Sequence, residues 1–147
     1  MMRLQNAGSK IVIIPVSVAS SATATGNIDT MGYDEVKVCV LLDSAASTAS
    51  KPAVLKLSEA DVTNVSSFAD ITAFVGGGVG GFTIPAVSAT LGSIVELNVD
   101  TRARKRYLKL SVTPSTNGAM VLGACAVLGR AEDSTAAGAL ATASVNG

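Results

Sequence analysis

Apolar and polar positions alternate most cleanly between residues 35 and 42. Val36, Val38, Val40 and Leu42 share one parity and Glu35 and Lys37 the other, the two-residue period of a β-strand with one buried face. Cys39 and Leu41 turn the second parity apolar further along, which predicts that this end is covered as well. The same period recurs in Ala53–Glu59, with Leu55 and Leu57 inward and Lys56 and Ser58 outward, and again in Ile94–Val99. It recurs in Tyr107–Val112, where Leu108, Leu110 and Val112 oppose Tyr107, Lys109 and Ser111. Ile11–Val18 is rich in β-branched residues and reads as the first strand. Pro15 removes a ladder donor there, which places the strand at a sheet edge or a bulge. Phe68–Phe74 is a weaker strand with its two Phe on one parity. Ala119–Leu128, broken only by Gly123, is the continuous apolar run of a strand buried on both faces.

Between these runs lie a small polar connector at Ser20–Thr25, turn residues at Gly26–Gly32, a Ser/Ala loop at Asp43–Pro52 and a polar connector at Asp61–Ser67. Gly76–Gly81 follows the Phe68–Phe74 strand, and Ser115–Gly118 has the composition of a hairpin turn. No amphipathic helix and no fixed-period repeat interrupts the pattern. The expected fold is all-β, an antiparallel β-sandwich with jelly-roll character built from seven or eight strands. Residues 1–130 form the sandwich domain, with an N-terminal arm over about residues 1–10. Ala131–Gly147, which is mostly Ala, Ser, Thr and Gly with a single Leu140, forms a C-terminal arm that has no core of its own.

Composition sharpens this picture. The chain of 147 residues suffices for one domain, and aromatics make up only 3% of it, so the core must be packed by Val, Leu, Ile and Ala. Net charge is zero, which removes global steering towards nucleic acid or an anionic membrane and leaves only local recognition. Ile11–Val18 is too short to cross a bilayer as a helix. The chain has no His, so the Ser-His-Asp and Cys-His arrangements and most zinc sites are absent. Cys39 and Cys125 form no metal spacing and fall in strands; they read as buried, inert thiols, with a disulfide or a redox role as the alternative. Asn64-Val-Ser66 matches a glycosylation acceptor with no secretory signal to support it.

Two further patterns invite chemistry. Gly76, Gly78 and Gly81 satisfy G-x-G-x-x-G, but that motif binds a pyrophosphate only where a helix N-terminus follows, and here Phe82-Thr-Ile-Pro85 follows. Among the carboxylates, no pair is accompanied by the aromatic platform of a sugar cleft, and Asp29, Asp34 and Asp43 lack calcium-loop spacing. No catalytic, cofactor-binding or metal-binding residue is assigned. What stands out is charge. Five of the eleven Lys and Arg residues lie between Arg102 and Lys109. The plain reading is a solvated strand start partly neutralised by Glu96 and Asp100. The functional one makes Arg102, Arg104, Lys105 and Arg106 a docking edge for an acidic protein partner. A single neighbouring aromatic, Tyr107, makes nucleic acid the weaker partner class.

One order of motifs carries a resemblance. Asn27-Ile-Asp-Thr-Met-Gly-Tyr-Asp-Glu-Val-Lys-Val is followed by Leu55-Lys-Leu-Ser-Glu and Phe68-Ala-Asp-Ile. Arg104-Lys-Arg-Tyr-Leu-Lys-Leu-Ser-Val-Thr comes next, and then Ala124-Cys-Ala-Val-Leu-Gly129. Over roughly residues 27–130 this resembles the small β-rich virion proteins of tailed bacteriophages, the head decoration or cement proteins. The resemblance implies a non-enzymatic protein on the capsid surface of a virion, binding the major capsid protein as a homo-oligomer, commonly a trimer. A tail or fibre adaptor, or a host-glycan-binding virion module, is the alternative within the same fold class. The chain departs from those proteins in the Gly76–Gly81 loop, the Ala/Ser/Thr tail and Ala60-Asp61, where they tend to carry acidic-Gly turns.

Overall fold

The computed structural model describes residues 7–43, 52–87, 91–115, 118–129 and 143–146. The strands are β1 (Ala7–Val18), β2 (Ala24–Asp29), β3 (Glu35–Leu42), β4 (Val54–Ala60), β5 (Ala69–Val75), β6 (Ser93–Asp100), β7 (Tyr107–Thr113), β8 (Met120–Gly129) and β9 (Ala143–Asn146). Among the described residues, the 3-10 turn Val65–Ser67 is capped by the Asn64 side chain. The strands form two sheets: sheet I in the order β1-β8-β3-β6-β9 and sheet II in the order β2-β7-β4-β5.

That order has a simple origin. β1 pairs with β8, β2 with β7, β3 with β6 and β4 with β5, all antiparallel, as along one long folded ribbon. Successive ribbon pairs alternate between the two sheets, and β3–β8 and β4–β7 contacts complete each sheet. This is the jelly-roll β-sandwich. β9 extends sheet I by pairing parallel with β6, so the last strand of the chain lies at an edge.

Alternation along each strand builds the core. Val36, Val38, Val40 and Leu42 of β3 face Leu55 and Leu57 of β4, Leu108, Leu110 and Val112 of β7 and their neighbours in one continuous buried cluster. Phe74 is the fully buried aromatic of this cluster, and Ile84 and Val87 plug it from the segment before β6. The low aromatic content thus gives the thin aliphatic core it predicts.

Several expectations hold in detail. β1 is an edge strand, and its register shifts between Ile11 and Ile13 and again between Ile13 and Val16, so Pro15 occupies a bulge. Gly123 of β8 lies directly beneath: a Cβ there would meet the Pro15 backbone at 3.3 Å. The break in the apolar run of β8 is therefore where the bulged Pro15 packs.

Other expectations need correction. Gly26–Gly32 was expected as turn, yet Gly26, Asn27, Ile28 and Asp29 belong to β2. Ile28 is fully buried opposite Leu108, and this pairing outweighs the local turn composition. Gly26 is needed because a Cβ would overlap the carbonyl of Val12. Ser115–Gly118 does not close a hairpin, because β7 and β8 lie in different sheets. β8 is fully buried along its inner face, at Leu122, Ala124, Ala126 and Leu128; on its outer face Gly123 is buried, Cys125 and Val127 are half-buried and Val121 is exposed. The outer end of β3 is likewise uncovered at Leu41. Ser58 points outward as expected but is buried, covered by its contact with β5. Phe68 and Phe74 do not share a face in the simple sense, because the β4–β5 register shifts between Lys56 and Ser58 and β5 buries Ile71 and Phe74 three residues apart. β1 starts at Ala7, and residues 1–6 of the expected N-terminal arm lie outside the described residues. Of the C-terminal arm, Ala143–Asn146 forms β9, while residues 130–142 and 147 lie outside the described residues.

Candidate functional site

Arg102, Arg104, Lys105 and Arg106 all fall in the β6–β7 connection, at one end of the sandwich. The turn begins on Asp100, whose carboxylate accepts hydrogen bonds from the Arg102 backbone N–H at 3.0 Å and from its guanidinium at 2.9 and 2.6 Å. The Thr101 hydroxyl donates to the Tyr33 carbonyl at 2.6 Å, and the Thr101 N–H donates to that of Asp34 at 2.9 Å, so the turn is fastened to the β2–β3 loop. Arg106 closes the other side. Its guanidinium grips Asp29 through two bonds of 2.9 and 2.7 Å and lies 4.8 Å from the Tyr107 ring centroid. The Arg106 carbonyl accepts from both the N–H and the hydroxyl of Thr30. Lys105 reaches Asp61 at 3.4 Å and donates its backbone N–H to Glu59, whose other oxygen lies 3.9 Å from Arg104.

Each of the four cations therefore faces a carboxylate: Asp100, Glu59, Asp61 and Asp29 respectively. Glu96, expected to share in neutralising this edge, instead pairs with Lys37 at 3.4 Å. The Arg106 hydrogen bond holds the Asp29 carboxyl down at about 2, and Arg102 does the same for Asp100, also at about 2. Arg102 and Arg106 are shifted upward in turn by these same partners. The loop is a neutral, cross-linked clasp over three inter-strand connections.

The outer face of sheet II is organised by polar contacts. Asp70 accepts from Lys56 at 2.8 Å and from the buried Ser58 hydroxyl at 2.7 Å, and Lys56 in particular lowers its pKa. Lys109 stands 4.4 Å over the Phe68 ring. The outer face of sheet I is different. Cys39 and Cys125, expected to be buried, are half-buried and directly opposed across the β3–β8 ladder. Desolvation, reinforced by Cys125, pushes the Cys39 thiol up to about 11, so it is a thiol and not a thiolate at neutral pH. Around them lie exposed Ile11, Ile14, Leu41 and Val121. The parity of Cys39 with Glu35 and Lys37 already pointed outward; its pairing with Cys125 required the register.

Gly76–Gly81 forms a tight turn in which Gly76 bridges to Phe82 and an extended segment follows, so no helix dipole faces the glycines. A shallow open depression of about 300 Å³ lies beside it, lined by Pro52, Ala53, Gly76, Gly77, Thr83, Ile84 and Ser115, with no charged group. Among the described residues, no three His, Cys, Asp or Glu side chains are grouped to hold a metal, and no helix is long and apolar enough to cross a membrane. Fold and site together define a jelly-roll β-sandwich whose polar side chains are spent on holding its own loops and one sheet face. No protein-family model matches the chain, and no curated protein matches it.

Proposed function

We propose that this protein is a non-enzymatic structural component of a tailed-bacteriophage particle, one that binds the shell of the major capsid protein from outside and stabilises it. The observation that carries the reading is the division of labour on the surface. The four cations most available for chemistry are tied to in-chain carboxylates, whereas the outer face of sheet I exposes Ile11, Leu41 and Val121 beside the Lys37–Glu96 pair. Such a surface is suited to contact, not turnover. The motif order from Asn27 to Gly129 supports the same reading, as does the jelly-roll order, an architecture that viral capsid domains use.

The mechanism is mass action: a protein that binds only the assembled shell lowers the free energy of that state. Because each is already paired with a carboxylate, Arg102, Arg104, Lys105 and Arg106 are assigned only a secondary, electrostatic part in this contact. Co-sedimentation of the purified protein with empty capsids tests the proposal. Saturable pelleting is expected, with a modest loss for Arg104→Glu combined with Arg106→Glu that shrinks as salt rises. Protein left in the supernatant at every shell concentration would overturn it.

A further inference from the structure

We infer that Cys39 and Cys125 are a redox switch, joining in oxidising surroundings as a reversible intramolecular disulfide between β3 and β8. The inference rests on this pair alone and stands whether or not the chain decorates a capsid.

The β3–β8 register runs without a shift from Glu35 opposite Gly129 to Leu42 opposite Leu122, and it sets Cys39 directly across from Cys125. One step beyond that ladder the Asp43 N–H donates to the Val121 carbonyl at 2.9 Å. Alternation from there makes the two cysteines a hydrogen-bonded pair, with Cα atoms about 5.5 Å apart. A disulfide spans about 4.4–6.8 Å between Cα atoms, so the backbone already stands where the bond needs it. Both residues are free thiols, half-buried on the outer face of sheet I and within reach of a small reagent. They are also close enough for Cys125 to act on the Cys39 thiol through charge and a side-chain hydrogen bond. Ile11 flanks Cys125 and Glu96 flanks Cys39 in the same row. Among the described residues, no three His, Cys, Asp or Glu side chains are grouped to hold a metal, so no metal site competes for the thiols.

The same geometry sets the character of the bond. Directly opposed Cβ atoms in a ladder stand about 4.5–5.5 Å apart, whereas a disulfide prefers about 3.8 Å. Closing it draws β3 and β8 together locally, and a bond held under that tension is readily reduced. It is a reversible lock.

The oxidant is a small-molecule disulfide of the glutathione class. Burial, then Cys125 and Glu96, push the Cys39 thiol up to about 11 against the pull of Lys37, so Cys125 attacks first. Cys125 gives its proton to water and its sulfur bonds one glutathione sulfur. The glutathione S–S bond breaks, and the departing thiolate takes up a proton. Cys39 then loses its proton and attacks the Cys125 sulfur, which releases the second glutathione as a thiol. Two protein thiols are oxidised and one glutathione disulfide is reduced to two thiols. Reduced glutathione runs both steps backwards, so a reducing compartment keeps the dithiol and an oxidising one closes it.

Treatment of the native full chain with glutathione disulfide tests this, read by thiol titration, intact mass and melting temperature. Reactive thiols should fall from two to none, with the loss of two hydrogens and a digest fragment joined at Cys39 and Cys125. The oxidised chain should melt at least about 5 °C above the reduced one, because the bond closes a long loop. Reduced glutathione without denaturant should reverse both changes. Cys39→Ser should retain a glutathione adduct on Cys125, Cys125→Ser should react more slowly, and neither should show the melting shift. Two thiols that persist, glutathione adducts on both cysteines of the native chain, or disulfide-linked dimers would each overturn the inference. So would a closed bond that melts no higher, or one that resists reduction under native conditions.

Discussion

The two outer faces of this sandwich solve the same problem differently. Both sheets bury an aliphatic inner face and must expose the other. On sheet II the outward-pointing positions carry Lys56, Ser58, Lys109 and Asn27, and Asp70 and Phe68 of the adjoining strand and loop bind three of these four. On sheet I the equivalent positions carry Ile11, Leu41, Val121 and two thiols beside the Lys37–Glu96 ion pair. The inner faces, alike in residue type, specify the fold. The outer faces, alike in geometry, differ in chemistry, and that difference is where function is legible.

The largest effect should come from the layer the two faces share. Leu110→Ala removes a fully buried side chain and is expected to cost about 3 kcal/mol, whereas Leu41→Ala on the outer face of sheet I should cost under about 0.5 kcal/mol in dilute protein. Urea denaturation of both variants measures the gap, and equal losses would mean that Leu41 is part of the core. Next comes the polar face. Asp70→Ala strips Lys56 of its ion partner and leaves the buried Ser58 hydroxyl without its acceptor, an expected loss of about 1 kcal/mol by the same assay. A variant as stable as the native protein would show that sheet II tolerates disorder on its surface as easily as sheet I.

The smallest effect belongs to the charged clasp. Asp29 and Asp100 are held at about 2 in the folded chain, below the ordinary Asp value of about 3.9 of the unfolded chain. Folded values lower than unfolded ones mean that the stabilisation is fully present above about pH 4 and is lost as the pH falls through 2. The urea midpoint should therefore be flat from pH 7 to about 5 and decline between about 4 and 2, with a shallower decline when Arg102 and Arg106 are both replaced by Ala. Because these pairs are solvent-exposed, the slope should be slight.

How much of this was readable beforehand follows from how far each feature reaches along the chain. β3 and β7 were legible because their alternation is local, and the β1 edge because Pro15 admits few other places. β2 was not, because Gly26 and Asn27 look like turn residues until Ile28 meets Leu108 across the sheet. The cluster from Arg102 to Arg106 was plain, but its neutralisation was hidden. Glu59 and Asp29 are 46 and 77 residues away from the groups they bind, and only the jelly-roll winding brings them to the same end. The opposed cysteines were invisible for the same reason: parity shows which way a side chain points, and register shows what it meets.

The central claim, that this chain acts by binding and stabilising an assembled shell, is tested most directly by thermal rupture of capsids with and without it. Saturating protein should raise the rupture temperature of empty shells by several degrees, and the increment should grow with free protein concentration as RT ln(1 + [L]/Kd). Shells that rupture at the same temperature at every protein concentration would contradict it.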